Sequence, residues 1–350
     1  MTTTQGSGTL PRMDTLTHAL SGALLARATA PRNAQPGSVA RRVAAGFLAC
    51  AAPDLDFVVA FFGPVPYLLH HRGVTHSFLL LPLWALIYAW ILAKLLREPG
   101  GWRALYGVTA LGLGLHIAGD LITSFGTMIL APISDWRAQI GTTFIIDLWF
   151  SGIILVGLIG SAVFTRSRWP AVAASVLLPA YIGFQYLQKE KATAFGESYA
   201  RALGLPNAVV NAQPRPVSPF NWTVFVSNAD AHRFADVNLV RRNVIELKPG
   251  DSFIERLDAA YLPLSQAHWQ IRSRYGEGEL EPVARDAWNS PAMDPFRWFA
   301  ALPAFDGASS DPTCVWFADL RFLTPGREAL PFRYGACRDH AEKPWRLVPP

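Results

Sequence analysis

The sequence predicts an α-helical membrane bundle of about six transmembrane helices over residues 13–187, followed by a small α+β domain with an antiparallel sheet over 188–350. Three observations predict this. The 350-residue chain is 51% hydrophobic and only 16% charged, against roughly 25% charged in soluble domains. Its charge is unevenly placed: residues 1–187 hold 12 basic and 7 acidic side chains, whereas 188–350 hold 19 of each. The first part is built of long apolar runs and the second of short alternating ones. Such a chain is neither disordered, collagen-like, a coiled coil nor a uniform soluble globule.

A helix needs about 20 apolar residues to cross a hydrocarbon layer of ~30 Å. Residues 43–62 are apolar apart from Asp54 and Asp56, 74–93 apart from His76, and 104–122 apart from His116 and Asp120. Residues 148–165 and 169–188 carry no charge. Residues 14–30, richer in Ala and Gly, form a sixth and shorter span or an interfacial helix. Arg27, Arg32, Arg41 and Arg42 flank the first connection, Lys94, Arg97 and Arg103 the third, and Arg166 and Arg168 the fifth. Arg72 and Arg137 alone serve the second and fourth, and Arg12 precedes the first helix. Basic loops stay inside. The expected protein is therefore multi-pass in a bacterial cytoplasmic (inner) membrane, with an extracytoplasmic C-terminal domain. Positive charge confined to short loops between apolar runs also argues for a lipid bilayer, and against nucleic acid, as the partner.

On this topology six of the seven acids (Asp14, Asp54, Asp56, Asp120, Asp135 and Asp147) and all five histidines (His18, His70, His71, His76 and His116) fall toward the outward side. Ionisable groups in a membrane are costly and mark a functional site by default. His116 and Asp120, four apart on a helix, share a face and can chelate one ion. Asp54 and Asp56 follow Pro53, which loosens the helix and lets both carboxylates turn toward one centre; a helix break closed by Asx-type hydrogen bonds is the alternative. Residues 70–77 gather three histidines and Arg72 at a helix entrance. His18 taken singly reads as a satisfied core histidine. Arg72 can pair with a phosphate oxygen or anchor at the headgroups, and Asp147 can favour a helix N-terminus or support the site. Nitrogen and carboxylate donors without thiolate suit zinc, manganese or iron.

Thr17-His18, Pro53-Asp54-Leu55-Asp56, His71-Arg72-Gly73-Val74-Thr75-His76-Ser77 and His116-Ile117-Ala118-Gly119-Asp120 occur in that order. This ordered set resembles the membrane-bound metal-dependent hydrolases of the YdjM type, a LexA-binding inner-membrane-associated family. More distantly it is similar to zinc-dependent phospholipase C. The resemblance covers roughly residues 13–165. It implies a helical site in which His18, Asp54, His71 or His76, His116 and Asp120 hold divalent metal, with Asp56 a further ligand or general base. It departs from the phospholipase C group in having no histidine between His116 and His232, so one or two ions are expected rather than three. The implied reaction is metal-assisted hydrolysis of an amphiphilic or phosphate-containing substrate, with Asp56 and Arg72 as catalytic residues. A transporter and a non-enzymatic scaffold with a structural metal are the other classes. A pathway would spread polar groups across the membrane, whereas the inner halves here are apolar.

Beyond residue 188 the pattern alternates. Residues 222–226, 237–240, 244–247 and 314–322 read as strands, 188–210 and 253–261 as helices. The Trp and Phe side chains of this half read mostly as core. Cys314 and Cys337 can pair if the domain faces an oxidising compartment.

Overall fold

The computed structural model describes residues 15–310, 313–327 and 330–349. Asp14 and Arg12 lie outside them. The chain divides into two compact units, Met13–Leu187 and Gln188–Pro350.

The first unit is helical. Its elements are α1 (Thr15–Ala28), α2 (Pro36–Ala51) running on into a 3-10 helix (Ala52–Phe62), α3 (Pro64–His70), α4 (Leu81–Leu95), α5 (Gly101–Leu121), α6 (Leu148–Val163) and the start of α7 (Trp169–Ala202). Among the described residues three stretches are long and apolar enough to cross a membrane: Pro36–Phe62, Gly101–Leu121 and Trp169–Ala202. Pro64–His76 with Leu81–Leu95, bent by 82°, makes up to a fourth. The expected six thus become three or four by length. At 1.5 Å rise per residue the 14 residues of α1 and the 16 of α6 reach only about 21 and 24 Å. The expected span over 74–93 is interrupted before Leu81, between a three-residue 3-10 turn (Val74–His76) and α4, where the chain bends by 82°.

Small residues face inward and large ones outward. Ala26, Ala45, Ala49 and Ala89 pack with Leu92 and Val108, while Leu83, Trp90, Val156, Ile159 and Val176 stay exposed. In water such a surface would aggregate; in lipid it is the expected arrangement, since close backbone approach replaces hydrophobic burial as the force between helices. Gly22 and Gly46 show the closeness. A Cβ on Gly22 would lie 2.2 Å from the Gly46 carbonyl oxygen, and one on Gly46 would lie 2.6 Å from the Ala26 Cβ.

The second unit holds two sheets. Strands β1 (Val209–Pro214), β2 (Asn221–Ser227) and β3 (Ala231–Asn238) form an antiparallel meander. Following α8 (Phe253–Ala259), β4 (Leu262–Pro263) pairs parallel with β3 and β5 (Gln270–Ser273) antiparallel to it. Past α9 (Leu280–Asn289) and α10 (Asp294–Phe299), strands β6 (Pro303–Ser310), β7 (Thr313–Asp319), β8 (Arg333–Arg338) and β9 (Arg346–Val348) form an antiparallel sheet in sequence order. Trp222, Phe225, Tyr261, Phe296 and Phe317 are buried. The expected strand at 244–247 is absent, residues 239–240 fall outside β3, and 320–322 form a 3-10 turn after β7. The helix expected from 188 ends at Ala202 as the far part of α7. Cys314 and Cys337, opposite each other on β7 and β8, form a disulfide. His232 is buried between Ser227 Oγ and the Pro303 carbonyl, and burial lowers its pKa below the usual imidazole value.

Candidate metal centre

Four segments deliver the polar groups of the helical unit. The α1 helix carries His18, the 3-10 helix after α2 carries Asp54 and Asp56, the turn between α3 and α4 carries His71, Arg72 and His76, and α5 carries His116 and Asp120. Gly119 makes room for the first of these, because a Cβ there would sit 2.8 Å from His18 Cε1. The His18 ring then lies against His116, tilted by 32° with centroids 4.1 Å apart.

His116 Nδ1 lies 2.6 Å from the Cys50 carbonyl oxygen. A carbonyl only accepts, so Nδ1 carries the proton and Nε2 presents a lone pair. The same holds for His76. The Thr75 hydroxyl donates to Asp56 Oδ2 (2.8 Å) and lies 2.9 Å from His76 Nδ1, leaving it to accept the Nδ1 proton. The two Nε2 atoms then face each other 3.0 Å apart.

Two carboxylates close in on the same point. Asp120 Oδ2 lies 3.2 Å from His76 Nε2 and 3.5 Å from His116 Nε2. Asp54 Oδ1 lies 3.5 Å from His116 Nε2 and 3.9 Å from His76 Nε2, and His18 Nε2 lies 3.3 Å from Asp120 Oδ1. Both Asp54 oxygens are buried, and neither accepts a hydrogen bond among the described residues. With both imidazoles neutral, four acceptors converge with no proton between them, an arrangement that a cation would stabilise. Bonds of ~2.0–2.2 Å to a tetrahedral ion place its ligand atoms roughly 3.3–3.5 Å apart, and the separations here, 3.0–3.9 Å, bracket that value. Among the described residues two overlapping groups could hold an ion: His18, Asp54 and His116, and His76, His116 and Asp120.

The remaining expected residues stand outside that ring of donors. Asp56 receives the His71 Nδ1–H (2.6 Å), the Arg72 backbone N–H (3.0 Å) and the Thr75 hydroxyl, with His76 Nδ1 3.3 Å away. Asp54 and Asp56, two apart on a 3-10 helix of three residues per turn, therefore face different groups, with His76 the neighbour they share. His71 stacks on Tyr67 at 4.6 Å, and His70 is exposed. Arg72 is 1% exposed, which removes the headgroup-anchor alternative. Its backbone is in the left-handed region (φ 60°), a strain that collects at functional sites. The guanidinium lies 2.8 Å from Asp120 Oδ1 and donates to Thr123 Oγ1 at 3.1 Å. A narrow cavity of about 50 Å³, lined by His18, Arg72, Thr123 and Thr143, adjoins the donors. Asp147 caps α6 by accepting from the backbone N–H of Trp149 and Phe150.

Sequence reasoning missed the Cys50 carbonyl, Thr75 and Thr123. A carbonyl leaves no trace in residue identity, but Thr75, beside His76, could have been found as a hydroxyl within reach of the ring.

Residues 13–192, just over half of the chain, match the YdjM inner membrane protein family. The chain is also similar to the uncharacterized protein YfhP of Bacillus subtilis (strain 168), 30% identical over 132 residues. That similarity spans 37% of this chain and 40% of the relative's length. No solved structure matches.

Proposed function

The chain belongs to the YdjM inner membrane protein family, and on that premise we propose that its helical half is a metal-dependent hydrolase. Its substrate is a phosphoester or phospholipid-like molecule at the outer face of the cytoplasmic membrane. One observation carries the reading: two imidazole lone pairs 3.0 Å apart, flanked by the carboxylates of Asp54 and Asp120. Each imidazole is oriented from behind, by the Cys50 carbonyl and by Thr75 with Asp56, as ligating histidines generally are. His76, His116, Asp54 and Asp120, with His18 at the edge, would hold one or two ions. The donor types suit zinc, with manganese or iron as alternatives. Such an ion supplies Lewis acidity toward a phosphoryl oxygen and lowers the pKa of water toward about 7.

The chain's own groups then divide the work. Asp56 spends its oxygens on His71, Arg72 and Thr75 and acts by orienting, which leaves the general-base role to whichever Asp54 oxygen does not hold the ion, since neither has a hydrogen-bond partner among the described residues. Arg72 lines the cavity with its Nε unpartnered and would hold a phosphate oxygen. The Cys314–Cys337 disulfide supports an oxidising compartment for the C-terminal domain. Arg27 binds the carbonyls of Thr165 and Ser167, and this meeting of the first and fifth arginine-rich connections supports their lying on one side. In this reading all six expected spans cross, those of α1 and α6 with the help of their flanking residues.

The test is turnover by the full-length protein in detergent, loaded with zinc or manganese, on bis(p-nitrophenyl) phosphate and on a short-chain phospholipid. Hydrolysis that falls at least about 100-fold in Asp54→Ala and His116→Ala is expected, as loss of a ligand removes the ion's contribution. Stoichiometric metal with neither substrate hydrolysed would instead identify a structural ion in a scaffold.

A further inference from the structure

At the junction of the α1–α2 connection with the α6–α7 connection lies a pocket of about 270 Å³ lined by Arg27, Arg32, Arg166, Arg168, Ser167 and Trp169 among others. No carboxylate lines it. Two of its arginines are fixed without being neutralised. Arg27 donates to the carbonyls of Thr165 (2.6 Å) and Ser167 (2.8 Å), and Arg168 donates to the carbonyl of Ala30 (2.9 Å). Carbonyls orient a guanidinium but leave its unit charge in place. The other two, Arg32 and Arg166, are exposed and have no hydrogen bond or ion pair among the described residues. Four cations around one hollow repel one another, and none of them has an ion-pair partner among the described residues. By contrast Arg41, near the same connections, is paired to Glu98 at 2.6 Å.

We propose that this pocket binds the phosphate headgroup of an anionic phospholipid. Guanidinium groups match phosphate oxygens in charge and in two-pronged geometry, and basic pockets between membrane helices suit such headgroups. The surroundings favour a lipid over free phosphate. Val163, Phe164 and Trp169, at the facing ends of α6 and α7, are 68%, 62% and 64% exposed, offering apolar surface to acyl chains beside the charged hollow. The inference does not depend on the metal centre, which draws on none of these arginines.

The experiment titrates full-length protein in neutral detergent with dihexanoyl phosphatidylglycerol, dihexanoyl phosphatidylcholine and inorganic phosphate, read by native mass spectrometry. The variants are Arg32→Gln/Arg166→Gln, whose side chains hold no part of the fold, and Arg97→Gln/Arg103→Gln, which removes equal charge from another connection. Saturable binding of phosphatidylglycerol is expected, with phosphatidylcholine much weaker. The first variant should lose on the order of 25-fold, about fivefold per guanidinium, and the second should lose little. Equal losses in both variants would overturn the site in favour of diffuse charge. Inorganic phosphate binding as tightly as phosphatidylglycerol would overturn the lipid in favour of a free anion.

Discussion

At Asp56, donors from His71, Arg72 and Thr75 meet one carboxylate, with the His76 ring beside it. A carboxylate can accept from all of them, whereas an amide would turn an N–H₂ toward groups that are donors themselves. Asp56→Asn should therefore weaken metal affinity by about 10–100-fold through misorientation of His76. It should also cost roughly 2–5 kcal/mol of stability from lost charge-assisted bonds and unpaired buried donors. Metal titration and thermal unfolding in detergent check this, and unchanged affinity would refute the orienting role. At this scale the sequence disclosed which His and Asp side chains come together but not their directions. His116 and Asp120 were legible because a helix fixes spacing four on one face. Residues 70–77 have no such period, so which imidazole turns toward Asp54 and Asp120 and which toward Asp56 depended on turns that residue identity does not encode.

Among the elements, the approach of α1 to α2 sets the level at which His18 and Asp54 are delivered. It depends on Gly22 and Gly46, where the Cβ of any larger residue would meet backbone at 2.2–2.6 Å. Backbone cannot move aside as a side chain can. Gly46→Val should destabilise the fold by about 1–3 kcal/mol or more. Gly107→Ala, where nothing lies within 4 Å, should be neutral or add up to about 1 kcal/mol through helix propensity. Unfolding midpoints of the two variants in the same detergent decide the matter, and equal midpoints would contradict the packing account. Hydropathy made the apolar segments legible but not the break before Leu81, because a bend among apolar residues leaves mean hydropathy unchanged. Residues 244–247 alternate like a strand yet lack a neighbouring strand, and alternation alone does not supply the ladder bonds a strand needs.

For the whole molecule, charge and hydropathy distinguish a helical membrane region from a sheet-rich C-terminal domain, because lipid and water select opposite surfaces. The number of crossings was less legible, since α1 and α6 are shorter than the hydrocarbon layer and only their flanks could extend them. The proposed function rests on the convergence of His and Asp side chains from four separate segments on a site that could hold a metal ion. The direct measurement is divalent metal content per chain of the purified full-length protein, wild type against Asp54→Ala and His116→Ala. One or two ions per wild-type chain, with most of that content lost in each variant, is the expected result. Wild-type protein that holds no stoichiometric ion after exposure to zinc, manganese and iron would contradict the account at its root.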